Sequence, residues 1–183
     1  MSGATGTGGG ARRLAVTRAG VLFFVALAVI AADQATKSWA LSALAAGPHH
    51  IIGPVYLVLT LNSGAAFSLG AGSTPIVETV ALLIVCVVLW HSGRLARSGG
   101  PTVMMAVLGL LTGGALSNLA DRVLRGHHGA VVDFIQLVSW WPVFNVADAA
   151  ITVGAICLVG TLMWPGRSRS GPHEPVQEGR DNE

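Results

Sequence analysis

"WWPVFNVADAAITVGAICLVGTLMW", residues 140–164, decides what kind of chain this is. From Ala149 to Trp164 no residue is charged, and the apolar run begins at Val146. A membrane-spanning helix needs about 20 such residues, with roughly 17 to 25 common. One acid, Asp148, sits at the head of the run. Ionisable groups are expensive at membrane depth and are usually functional there. Asn145 stands where an N-cap would be, and Asp148 falls at the third helical position, which is a helix-start signature. On that reading Asp148 only favours the positive end of the helix dipole. A second acid, Asp133, precedes it in "AVVDFIQ". Its neighbours are β-branched and aromatic, unlike those of an exposed loop acid. A buried carboxylate shifts its pKa or finds a partner, and each of these two is the natural partner of the other.

The rest of the chain fits a membrane setting. Of its 183 residues 52% are hydrophobic and only 11% charged, against about 25% charged in soluble domains. The mean hydropathy is +0.63. Three further apolar stretches, at about 19–46, 75–90 and 103–119, complete a set of four spans. The expected architecture is an all-α membrane protein of four transmembrane helices over 19–164. Residues 1–18 and 165–183 read as disordered cytoplasmic tails. Of the eleven basic residues, eight (Arg12, Arg13, Arg18, Arg94, Arg97, Arg167, Arg169 and Arg180) fall on one side of this arrangement. Lys37, Arg122 and Arg125 fall on the other. The positive-inside rule then puts both termini in the cytoplasm. Trp39, Trp140 and Trp141 suit an outer aromatic belt, and Trp90 and Trp164 an inner one. The start of the chain also resembles a signal peptide, but its cleavage would leave three spans, which fits the charge distribution less well. Cys86 and Cys157 lie in apolar runs and read as packing residues rather than a disulfide.

The unusual polar groups collect at the outer ends of the spans. Asp33 and Lys37 are four apart and share a helix face, as a simple ion pair would. Asn62 and Gly64 follow the alternating, strand-like "YLVLTL", where a turn would bring the backbone close to something. In "GGALSNLADR", residues 113–122, the paired glycines permit close helix contact. Asn118 and Arg122 there share a face, and Asp121 points elsewhere. Glu78 reads as an acid favouring its own helix start. Two neighbouring carboxylates cannot both ionise cheaply, so Asp133 and Asp148 would share a proton. The ionised one is then a base for water and the protonated one an acid for a carbonyl, which is aspartic peptidase chemistry. There is no HExxH and no GxSxG. Adjacent histidines such as His49–His50 and His127–His128 cannot face one metal from a helix or strand, so no metal and no cofactor is expected. Without a P-loop or GxGxxG, no nucleotide or nucleic-acid partner is implied. The alternative is a small four-span proton-coupled transporter, which would place its polar residues near mid-membrane.

These motifs resemble those of the lipoprotein signal peptidase (signal peptidase II) family. The resemblance covers most of 19–164 and runs through D-x-x-T-K at Asp33–Lys37, N-x-G-A-A-F at Asn62–Phe67, G-G-A-x-x-N-x-x-D-R at Gly113–Arg122, V-V-D-F-I at Val131–Ile135 and F-N-x-A-D at Phe144–Asp148. It implies an intramembrane aspartic endopeptidase of the bacterial inner membrane. Such an enzyme cuts a diacylglyceryl-modified prolipoprotein just before its lipidated cysteine. Asp133 and Asp148 would be the catalytic pair. Asn62, Gly64, Asn118, Arg122 and Asn145 would hold substrate or orient the acids, with Asp33, Lys37 and Asp121 in support. A small extracellular β-cradle is implied over 47–72 and a mobile flap-like loop or helix near 122–140. The expected partners are the substrate and membrane lipids, with the enzyme working as a monomer. Two residues depart from the family pattern: Ser117 where Gly is usual, and Ala149 where Ser is frequent.

Overall fold

The computed structural model describes residues 7–63, 90, 92–94 and 101–163. Gly64, Glu78, Cys86 and most of the second expected span lie outside the described residues. Three long helices are described: α1 (Thr7–Ala43), α2 (Thr102–Leu124) and α3 (Val146–Met163). A three-stranded sheet of β1 (His49–Ile52), β2 (Val55–Asn62) and β3 (Val131–Gln136) accompanies them. α1 and α2 each hold a segment long and apolar enough to cross a membrane, Val16–Ala43 and Thr102–Leu124. α3, at 18 residues, is roughly 27 Å long at 1.5 Å per residue. Bulky apolar side chains such as Phe24 and Ile156 stay exposed on α1 and α3, at 68% and 67%, as lipid-facing groups would.

α1 starts earlier than the sequence suggests. Residues 7–18, expected in a disordered tail, are its first turns. Ala, Arg and Leu are strong helix formers, and nothing in "ARRLAVTR" breaks the register of the span that follows.

Glycines set the spacing of the helices. A side chain at Gly109 would meet Leu22 O at 2.9 Å, and one at Gly113 would meet Ala26 O at 2.7 Å, both on α1. One at Gly114 would meet Ala147 O at 2.6 Å, on α3. The paired glycines of the sequence therefore face two different helices. The sheet caps the end of this bundle where α1 and α2 finish and α3 begins. Phe134 of β3 is buried against Ala40 and Leu44 of α1, with Leu57, Leu59, Ile135 and Val146 around it.

All three strands are antiparallel. β1 and β2 lie within the cradle expected over 47–72. β3 is a correction. The resemblance implies a flap-like loop or helix near 122–140, but Val131–Gln136 pairs with β2 across some 70 residues, with Thr60 opposite Asp133. The expected flap near 122–140 is helical only to Leu124, and beyond it lie turns and this strand. The cause is local. Gly126 adopts φ +72° directly after the helix cap Arg125, a conformation that ends helices and favours glycine. The β-branched run then finds a free sheet edge.

Candidate active site

The path from β3 to α3 builds the site. After β3 the chain turns and Phe144 pairs back onto Ile135, whose N–H donates to Phe144 O at 2.8 Å. This return places Asn145 beside the strand it has just left. Asn145 then caps α3 in both directions. Asp148 N–H donates to Asn145 Oδ1 at 2.9 Å, and Asn145 N–H donates to Asp148 Oδ2 at 3.2 Å. The sequence signature is therefore a reciprocal cap.

The two acids hang on two amides that are bonded to each other. Asn145 Nδ2 donates to Asp133 Oδ1 at 2.6 Å and to Asn118 Oδ1 at 3.2 Å. Asn118 Nδ2 donates to Asp148 Oδ1 at 2.8 Å. Asn62 lies two residues beyond Thr60 on β2, so it shares the face of Asp133. Its Nδ2 donates to Asp133 Oδ2 at 3.1 Å. Asp133 is 2% exposed. Burial, then the charge of Asp148, push its carboxyl up from the ordinary 3.8 to about 6, against the opposing pull of Asn62, Asn145 and Lys37.

Asp133, Asp148, Asn62, Asn118 and Arg122 line one cleft of about 600 Å³. Its other walls are apolar and include Leu137, Trp141, Phe144, Ile151 and Val153. Arg122 Nη1 donates to Asn118 O at 3.3 Å. Ala149 also borders the cleft, as its place after Asp148 requires. Trp141, read only as a membrane anchor, belongs to the cleft wall. Its contribution had no signal in the sequence, because a tryptophan at a helix end is explained by anchoring alone.

Beneath the cleft lies a buried ionic cluster. Asp33, Lys37, Ser117 and Asp121 are each 0% exposed. Lys37 Nζ lies 2.7 Å from Asp33 Oδ2 and 2.9 Å from Asp121 Oδ2, and it donates to Asn118 Oδ1 at 2.8 Å. The Asp33–Lys37 pair is thus more than a simple ion pair: it is buried and bridges to Asp121 on α2. Asp121 does point away from Arg122, but inward, where Arg125 Nε and Gln34 Nε2 each donate to its Oδ1 at 2.8 Å. Ser117 uses its hydroxyl to donate to Asp33 Oδ2 at 2.7 Å. The sequence reading missed Gln34 and Arg125. Their roles depend on which helix faces which, and single-helix spacing does not carry that information.

Two acids, one on β3 and one in the first turn of α3, face an apolar cleft beside two helices long and apolar enough to cross a membrane. The comparisons with known proteins supply the family. The sequence profile described as signal peptidase (SPase) II matches residues 25–164. The chain is 45% identical over 163 residues to a lipoprotein signal peptidase of Rhodococcus jostii (strain RHA1), covering 86% of this chain and 79% of that one. It is 43% identical over 145 residues to that of Mycobacterium avium (strain 104), covering 76% of each. A bacterial membrane enzyme solved by the in meso method at 1.9 Å resolution matches with a TM-score of 0.67 and 28% identity, over 79% of this chain and 93% of that one. Another, at 2.3 Å, shares the fold with a TM-score of 0.71 and 24% identity, over 85% and 95%. The chain belongs to the signal peptidase II family and is a peptidase.

Proposed function

We propose that this chain removes the signal peptide from diacylglyceryl-modified prolipoproteins, cutting before the lipidated cysteine, with Asp133 and Asp148 as its catalytic pair. The observation that carries the reading is the shared suspension of the two acids. Asp133 on β3 is held by the Asn145 amide and Asp148 on α3 by the Asn118 amide, and these two amides are hydrogen-bonded to each other in one apolar cleft. Two neighbouring carboxylates share one proton, and in the active form Asp133 carries it. Asp148, ionised, takes a proton from water as the water attacks the scissile carbonyl. Asp133 gives its proton to the carbonyl oxygen, so the tetrahedral intermediate forms without a free oxyanion. Collapse breaks the C–N bond: the leaving amine takes the proton from Asp148, and a hydroxyl of the intermediate returns its proton to Asp133 as the new carboxyl forms. Arg122 at the cleft edge suits the substrate backbone or its lipid headgroup, and the apolar walls suit acyl chains and a signal helix.

The proposed topology has four spans with a domain over 19–164. Both termini lie in the cytoplasm of the bacterial inner membrane, and the cleft lies near the outer face. The enzyme acts as a monomer. Purified protein incubated with a diacylated prolipoprotein should yield a shorter product on a gel. Asp133→Asn and Asp148→Asn should each abolish that product. The double variant should be no worse than either single one, since groups that act as one unit are strongly non-additive. Substantial cleavage by either single variant would overturn the assignment.

A further inference from the structure

Behind Asp133 and Asp148 stands a second pair of carboxylates, Asp33 on α1 and Asp121 on α2, which the chemistry does not use. Lys37 bridges them with two of its three hydrogens and gives the third to Asn118. An ammonium has three donors, so Lys37 is saturated. The other bonds of the two carboxylates have a pattern. Asp33 Oδ1 accepts the N–H of Ala147 at 2.8 Å, and Ala147 immediately precedes Asp148. Asp121 Oδ2 accepts the N–H of Val132 at 3.1 Å, and Val132 immediately precedes Asp133. Buried N–H groups need some acceptor. What needs explaining is that the peptide ahead of each acid is held by one arm of the same lysine-bridged pair.

We infer that Asp33, Lys37 and Asp121 form a spacer that fixes the separation of Asp133 and Asp148 by gripping the main chain one residue ahead of each. The inference rests on the reading of those two acids as the catalytic pair. The links run from Val132 N–H through Asp121, Lys37 and Asp33 to Ala147 N–H, joining β3, α2, α1 and α3. All are charge-assisted, which makes them about twice as strong as neutral hydrogen bonds. Ser117 holds the Asp33 end and Arg125 the Asp121 end. If a link slackens, β3 moves against α3 and the acids lose their spacing. A misplacement of about 1 Å can lower a rate roughly 100-fold. Wider spacing also weakens the repulsion between like charges. The two macroscopic titration steps of the pair then draw together, and the bell-shaped pH dependence narrows. The charged groups facing the pair are Lys37 and Asp33 from α1 and Asp121 and Arg122 from α2. These three spacer residues are positioning residues and touch no reacting atom.

The test uses full-length enzyme in detergent with a diacylated prolipoprotein. Asp33→Asn and Asp121→Asn keep shape but turn a donor toward Lys37. Asp33→Glu and Asp121→Glu keep the charge but lengthen the arm. For each, kcat and KM are normalised to folded protein, counted by thermal unfolding, and kcat/KM is followed against pH. The expected result is a kcat lower by about 10- to 100-fold, KM within about twofold of the parent, and a narrower bell. Wild-type kcat and bell width in variants that are merely less thermostable would overturn the inference. So would failure of all four to fold, which would make the cluster a folding element. Asp133→Asn run in parallel separates the two readings. If it still cleaves, the catalytic assignment fails on its own account.

Discussion

Asp133 carries a cost that its proposed role as a catalytic acid would explain. Its carboxyl is pushed up from 3.8 to about 6, so between those values the folded protein keeps a proton that the unfolded chain has released. Stability therefore falls as pH rises through that window and stays lower above it. The group alone sets a loss of up to about 3 kcal/mol at neutral pH, at roughly 1.4 kcal/mol per pKa unit. Asp133→Asn removes the charge and keeps the shape. It should melt above wild type at about pH 7, and the gap should close toward about pH 4. Thermal unfolding in detergent checks this, and a variant less stable than wild type at both pH values would refute it. At this scale the sequence was informative where a residue contradicted its surroundings. An acid beside Val132 and Phe134, or at the head of an apolar run, is visible at once. Gln34 and Arg125 contradict nothing around them. Each is an ordinary polar residue until its partner on another helix is known.

Helix contacts carry the next level. Gly109 and Gly113, four apart, open one face of α2 to α1, while Gly114 opens the next face to α3. The atoms a side chain would strike there are main-chain oxygens at 2.6–2.9 Å, which cannot swing aside. Gly113→Ala and Gly114→Ala should each destabilise by about 1 to 3 kcal/mol through overpacking. Gly114→Ala should also lower activity, because it displaces the first turn of α3, which carries Asp148. Leu124→Ala, at a position 79% exposed on the same helix, is the control. Melting temperatures and cleavage rates measured together decide the matter, and three indistinguishable variants would sink it. The glycine pair was legible as a close-contact signal, but not the two directions in which it points. β3 was not legible as a strand. Its six residues gain their conformation from β2, which lies far back in the chain, and from the return of Phe144. Both are tertiary effects that override local reading.

For the molecule as a whole, the distribution of charge makes a directional claim. Arg18 and Arg94 lie on the side opposite the sheet in the proposed topology, together with the basic residues of both tails. A phosphatase reporter that works only outside the cytoplasm should stay inactive when fused after Trp164. The same reporter placed in the turn between β1 and β2, at Gly53–Pro54, should be active. The reverse pattern would invert the proposed orientation and move the cleft to the inner face.

The long reach of the cap on α3 bears on when the enzyme becomes active. Ala147 is anchored on Asp33, 114 positions earlier in the chain, and Asp133 on Asn62, 71 positions earlier. A ribosome that has finished residues 1–132 has made neither acid of the pair, and the second follows only as the last span begins. With Asp133 and Asp148 as the proposed catalytic pair, the growing polypeptide is proteolytically silent until α3 has docked. A message cut short upstream of it therefore yields an inert fragment rather than an unregulated protease among the membrane's other clients.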